Sequence, residues 1–409
     1  MLSFTVRAAR RTAPVRLLIP RLVRGGRQAA RMAMTIAVLV GAAPLHAQSN
    51  DGVETVSVAS LPPATPYRLY VADVAIPHII DGKLHVIDGN SMKHQGMVAT
   101  GLAGNVTLSA DRKELYVATT YFTRLNRGER VDQVDIYDTA TLKLIGEVVI
   151  PAKHAQALPY RGYVRASSDG RWLFVQNATP ATSVSVVDLK AKKFVVEVPL
   201  PGCWALLTVP SEPSRFTTVC GDGSLLTVTL DADGKVVAQR RVPKFFDPET
   251  DPIFIHAEYD GDRAHFVSFK GRVHTANLAG EQASFEASWS LVQGVDAKKN
   301  WRPGGYQPVA LHAQSQRLYV GMHAGGKEGS HKEPAREVWV FDVSKRTRIA
   351  RIPGSMAIAL AVTRGDKPLL FAIDGAKNTL VSWDVQGTPR KRKEQVAPMG
   401  DSATLIEVQ

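Results

Sequence analysis

The sequence predicts an all-β protein, a seven-bladed β-propeller closed by its C-terminal strand. The first observation is a repeat whose landmark residues are Asp88, Asp138, Asp188, Asp231, Asn277, Asp342 and Asp384, spaced by 50, 50, 43, 46, 65 and 42 residues. Periods of this size, each holding several short strands, mark propellers. The second is that no run of 12 or more residues carries a strong helical period. The third concerns the ends: the first copy, 67–101, lacks an innermost strand, and the chain finishes on an orphan strand, "ATLIEVQ" at 403–409. A ring left open would expose a strand edge, so the C-terminal strand is expected to complete the first blade.

Residues 1–47 read as a targeting segment. They contain eight arginines and no Asp or Glu, and end in "MAMTIAVLVGAAPLHA" at 32–47. A basic stretch, a short apolar core and small residues before a cleavage point after Ala47 form a secretory signal pattern. The basic stretch is long, so translation starting at Met32 or Met34 is an alternative, as is an Arg-rich organelle transit peptide. Arg10-Arg11 makes a poor twin-arginine signal because no suitable apolar run follows closely. Without this segment the formal charge of +12 falls near +4, from 42 basic and 38 acidic residues. That balance gives no electrostatic case for nucleic acid. No later run of 18 apolar residues offers a membrane span. Residues 48–66, polar and rich in Pro and Ser, read as an extended arm, and 67–409 as the propeller.

Within each repeat two strands recur. One follows a polar turn, as in "SADRKELYVA" (109–118), "SSDGRWLFVQ" (167–176) and "HAQSQRLYVG" (312–321). The next ends on the landmark, as in "VDIYDT", "VSVVDL" and "VWVFDV". Val, Ile, Leu, Tyr and Phe bounded by Asp, Gly and Lys are what hairpins require. Asp at a strand end favours the following turn.

Cys203 and Cys220 are the only cysteines, 17 positions apart across an expected strand–turn–strand. In an exported chain disulfides persist, so the two are expected to bond to each other. Closing so short a loop stabilises by roughly 3 kcal/mol on the chain-entropy estimate. A redox-active pair would want C-x-x-C spacing.

Catalytic candidates are thin. His312, His323 and His331 lack a metal-binding spacing; His312 is expected near a strand start and the others in a loop. No P-loop or G-x-S-x-G elbow occurs. The run "PRKRKEQ" at 389–395 reads as the solvated outer turn of the last blade. Two insertions stand out, 119–133 and 321–338, each expected as a loop between the second and third strands of its repeat and on one common face. The first places Tyr121 and Phe122 beside Arg124, Arg127 and Arg130, a mixture enriched at protein interfaces; local packing, with the arginines paired to Glu129 and Asp132, is the alternative. A third feature, "NWRPGGYQPVALH" at 300–312, sets Trp301, Arg302 and Tyr306 around Gly304-Gly305, which would permit close backbone approach; a tight turn covered by the tryptophan is the alternative.

At these motifs the chain resembles the heavy subunit of the quinoprotein amine dehydrogenases, the methylamine and aromatic amine dehydrogenases. The resemblance rests on "FTRLNRGERVDQVDIYD" (122–138), "PGCWALL" with "TTVCGDGSL" (201–225), "NWRPGGYQPVALH" (300–312) and "GGKEGSHKEPAREVWVFD" (325–342), and extends over nearly the whole mature chain. The "KEGSHK" form, with His331 and Lys332, is closer to the aromatic-amine branch. The resemblance implies a seven-bladed propeller, a Cys203–Cys220 disulfide and a periplasmic location. It implies a scaffold role in an α2β2 assembly with a small cysteine-rich subunit. That partner bears the cofactor, tryptophan tryptophylquinone, and the general base; this chain holds no catalytic residue, cofactor or metal. The assembly would oxidise a primary amine to aldehyde and ammonia and pass electrons to a blue-copper protein, amicyanin or azurin. The family's channel-lining stretch corresponds to 72–80, where Ile76 and Pro77 replace the aromatic of methylamine-type members; a wider mouth would suit a larger amine. The competing reading, from another class, is a stand-alone periplasmic propeller, a binding protein or a lactonase-like hydrolase, which would need converging carboxylates or a metal.

Overall fold

The computed structural model describes residues 59–156, 160–395 and 398–409. The targeting segment and residues 48–58 of the arm lie outside them. The described residues belong to one compact unit. Among the described residues the only α-helix is Gly294–Lys298, and every paired strand of the sheets is antiparallel to its neighbour.

The strands follow one pattern of four. Val164–Ala166, Trp172–Asn177, Ser183–Asp188 and Lys193–Pro199 form such a set, as do Cys203–Leu207, Arg215–Cys220, Leu225–Leu230 and Val236–Val242. Two 16-residue strands, Lys93–Leu108 and Thr347–Val362, each serve two sets. The first half of Lys93–Leu108 pairs with Gly82–Asp88 as an outer strand, and its second half pairs with Glu114–Arg124 as an inner one. Thr347–Val362 links Ala335–Asp342 to Leu369–Asp374 in the same way. The C-terminal strand Ala403–Val408 pairs with Arg68–Asp73, taking the inner position of the first set.

The two strands recognised as repeats are the second and third of each set. They are enclosed on both faces: Trp172–Asn177, Ser183–Asp188 and Leu369–Asp374 are buried at every position. Their apolar residues fill the space between neighbouring sets, where Phe174, Val186 and Leu206 meet Phe216 and Val228. Leu69, Val71 and Ile87 of the first set pack on Phe371 and Ile373 of the last. The outer strands are edges. Arg390–Glu394, expected as an outer turn, is such a strand and is exposed along most of its length; its charges deter pairing with another sheet.

The landmark residues shape the turns. Amides that follow are accepted by Asp88 (from Asn90), Asp138 (Ala140 and Thr141), Asp188 (Ala191), Asp231 (Asp233 and Lys235), Asn277 (Ala279), Asp342 (Lys345) and Asp384 (Gln386), at 2.7–3.1 Å. Each supplies locally the acceptors a tight turn needs.

Cys203 and Cys220 face each other across the first two strands of their set and form a disulfide. Both are buried.

Candidate functional site

Antiparallel sets have two ends. One carries the short turns just described. At the other lie the hairpins between second and third strands and the connections between sets, and four of the singled-out segments fall there: Ile76–Asp81, residues 119–133, 300–308 and 321–338.

The 119–133 segment is a hairpin and not a loop. Glu114–Arg124 and Arg127–Asp138 pair almost to the tip, where Arg124 stands opposite Arg127 and Leu125 is 76% exposed. Its root is fixed by Asp132, which is fully buried. That carboxylate accepts from the Thr120 hydroxyl at 2.7 Å, from Arg130 Nε and Nη2 at 2.8 and 2.7 Å, and from the His154 amide at 2.7 Å. Arg130 is thus an anchor of the hairpin. Burial lowers the His154 imidazole to about 4, and its Nε2 lies 3.0 Å from Asn105 Oδ1, so at neutral pH it is an uncharged structural group. Tyr121 donates to Asp135 at 2.7 Å. Burial, reinforced by that bond, raises the phenol far above its ordinary range. Phe122 is half-buried, and Arg124 and Arg127 are exposed.

The Ile76–Asp81 turn adjoins this hairpin across Gly101. Gly82 pairs with Gly101, where a Cβ would lie 3.1 Å from the Tyr121 ring and the φ of +58° favours glycine. Ile76 and Ile79 are 52% and 45% exposed, and Pro77 beside them is exposed too. Asp73 holds the turn: its carboxylate accepts from the amides of Ala75 (2.9 Å), Asp401 (3.0 Å) and Ser402 (2.7 Å). Burial pushes this carboxyl up, but His85 and the three amides outweigh it and hold the group at about 2.

The other two segments meet each other. The Gly305 amide donates to the His331 carbonyl at 3.0 Å and the Gly304 amide to the Gly321 carbonyl at 3.1 Å. A Cβ on Gly304 would lie 2.4 Å from the Glu333 carbonyl, and one on Gly305 2.6 Å from that of Ile358, the close approach expected of the glycine pair. Tyr306 is half-buried under the Lys332 ammonium, 5.5 Å from its ring centroid. Together with Tyr160, Ile253, Phe254 and Phe269, these residues line a mainly apolar pocket of about 380 Å³ with His331 and Lys332 at its rim. A second depression of about 340 Å³ continues it past Pro252 and Ile255 to Trp204, Phe246 and Cys220.

Trp301 is not at the surface expected of an interface residue and follows the alternative of a tryptophan packed beneath the turn. It is buried, 5.1 Å from Trp339, with Arg351 stacked on both rings, so it supports the surface from below. Arg302 turns back, donating to the Trp301 carbonyl at 3.0 Å. The histidines also part. His312 ends the strand Val309–His312 instead of starting one, at the short-turn end, while His323 ends Arg317–His323 at the opposite end. His331 alone lies in the loop. Among the described residues no group of three or more His, Cys, Asp or Glu is placed to hold a metal ion, and no helix is long and apolar enough to cross a membrane. The closest tryptophan pair, Trp301 and Trp339, is sealed in the core, which does not suit it to house a substrate-facing quinone.

Comparison with known proteins bears on what such a surface serves. A family profile described as "Methylamine dehydrogenase heavy chain (MADH)" matches residues 65–408. The methylamine dehydrogenase heavy chain of Methylophilus methylotrophus is 30% identical over 354 residues, covering 86% of this chain and 85% of its own. That of Methylobacillus flagellatus is 28% identical over 386 residues, covering 92% and 95%. Among solved structures, a putative 6-phosphogluconolactonase from Bacteroides fragilis aligns with a TM-score of 0.58 at 12% identity, covering 85% of this chain and 99% of that one; this is a likeness of fold alone.

Proposed function

The chain belongs to the methylamine dehydrogenase heavy chain family, and from that premise we propose that it is the non-catalytic heavy subunit of a periplasmic amine dehydrogenase. The observation that carries this reading is the family match over residues 65–408. The long-connection end is the docking face for a small cysteine-rich subunit, which carries the tryptophan tryptophylquinone and the acid–base chemistry, in an α2β2 assembly. Exposed Ile76, Ile79 and Leu125, the Tyr121 hairpin and the pocket at Tyr306 supply an apolar surface with aromatic and cationic margins, the composition of a protein interface. The seven inner strand ends around one cavity and the packing of first set on last support a closed ring of seven blades. Such a ring is a stiff wall that keeps a reactive quinone dry and its access narrow. With Ile76 and Pro77 at the mouth in place of an aromatic, the substrate is a primary amine larger than methylamine, an aromatic one, and the acceptor is a blue-copper protein, azurin or amicyanin.

The test is co-expression with the neighbouring small-subunit gene. The wild-type chain is expected to co-purify with a quinone-absorbing partner and to favour phenylethylamine over methylamine in kcat/KM. Ile76→Asp with Ile79→Asp is expected to lose the partner while unfolding within about 0.5 kcal/mol of wild type, as surface substitutions do. Retention of the partner by that variant, or amine oxidation by the heavy chain alone, would overturn the reading.

A further inference from the structure

Four guanidinium groups and two carboxylates share one central cavity of about 560 Å³. It is bounded by the ends of the inner strands and by the short turns that follow them, such as 109–112 and 363–365. It therefore opens toward the end of the strands remote from the docking surface and does not depend on the subunit reading. Arg112, Arg161, Arg165 and Arg364 line it, with Glu258 and Glu407.

Arg161 takes both carboxylates. Its Nη1 is 2.5 Å from Glu258 and its Nε 2.7 Å from Glu407, and these three side chains are 16%, 13% and 11% exposed. Arg112, Arg165 and Arg364 are left without an acidic partner in the cavity. Arg112 donates to the Val408 carbonyl at 2.8 Å. Arg165 rests near the Tyr259 ring, 5.5 Å from its centroid, and its Nε and Nη2 are buried without any acceptor. Unpaired buried donors on a cation are costly, and here they sit in a cavity with two positive charges in excess. Burial first, then Arg364, Arg161 and Arg165, pull the Arg112 guanidinium down to about 10 against the opposing pull of Glu407. Desolvation of its head group at the cavity wall also lowers Arg364, although the residue as a whole is exposed to solvent.

We propose that this cavity is an anion-binding site for a small doubly charged oxyanion (phosphate, sulphate or a dicarboxylate) held by Arg112, Arg165 and Arg364. Guanidinium groups present forked donors that suit such oxygens, and two negative charges neutralise the excess. The occupant also secures the C-terminal strand, because Arg161 and Arg112 grip it through Glu407 and the Val408 carbonyl.

The experiment is calorimetric titration and thermal unfolding of the purified full-length mature chain at constant ionic strength in sodium chloride. Phosphate, sulphate and succinate are titrated separately, with acetate as the singly charged comparator; the strongest of the three identifies the source. Saturable binding is expected, with a Tm that climbs with dianion concentration as ligand linkage requires, and with acetate at least about tenfold weaker. Arg165→Gln and Arg364→Gln are each expected to weaken dianion binding about 10- to 100-fold, the effect of losing a charged hydrogen bond. Circular dichroism establishes folding; if Arg165→Gln fails to fold, Arg364→Gln decides. Dianions that raise Tm no more than sodium chloride of equal ionic strength, or binding unchanged in the folded variant, overturn the proposal.

Discussion

Aspartate does different work at the two ends of the strands. At the short-turn end, Asp138, Asp231 and Asp342 are half-buried, Asp384 is exposed and Asp188 is buried, and each accepts from one or two amides of its own turn. At the long-connection end, Asp73 and Asp132 are 1% and 0% exposed and accept from segments distant in sequence: residues 401–402 for Asp73, residue 154 for Asp132. The regular end needs only local chemistry, repeated. The irregular end must hold long excursions in fixed positions, and two of them, Ile76–Asp81 and 119–133, have a buried carboxylate as anchor.

The largest expected break in that contrast is Asp132→Ala. It strands the buried Thr120 hydroxyl and His154 amide and removes the partner of Arg130, so it should cost about 3–5 kcal/mol, as for a buried pair broken from one side. Denaturant unfolding at unchanged m-value measures it, and a cost below about 1 kcal/mol would mean the hairpin root is not anchored there. Asp73 sharpens the contrast through pH. Its folded value, about 2, lies below the ordinary carboxyl value, so its contribution is complete above about pH 4 and is lost as pH falls toward 2. About 2 kcal/mol should disappear across that window in the wild type. Asp73→Asn should flatten that part of the stability profile; an unchanged slope would refute the assignment. The smallest effect belongs to the turns. Asp231→Ala removes a local acceptor at a half-solvated site and should cost about 1 kcal/mol or less, with no change in partner capture; a loss above about 2 kcal/mol would erase the distinction between the two ends.

Legibility in the sequence followed the same division. Strands such as Trp172–Asn177 and Ser183–Asp188 are buried on both faces and are readable from their runs of β-branched and aromatic residues between turn signals, even though Gln176, Asn177, Ser183 and Ser185 are buried among them. The outer strands were harder, since an edge like Arg390–Glu394 is selected against pairing and so resembles a turn. Tyr306, singled out by the residues around Gly304-Gly305, and His331 and Lys332, singled out by the resemblance, do come together, through the Gly305–His331 hydrogen bond. Trp301 misled because a tryptophan beside arginine and glycine looks the same whether it faces solvent or lies beneath the surface. Asp73 and Asp132 carried no signal that separated them from the turn aspartates. The central arginines leave no local signal, because Arg112, Arg161, Arg165 and Arg364 stand as far as 252 positions apart.

By itself the sequence determined the all-β class, the repeat, the turn chemistry at each landmark residue and the partnership of the two cysteines, because each depends on residues close along the chain. The tertiary structure alone decided which aspartates are buried anchors, that Trp301 is core, and that four arginines from three repeats face one cavity. Those outcomes depend on which side chains share a volume with little water, and contact between residues hundreds of positions apart leaves no local pattern to read.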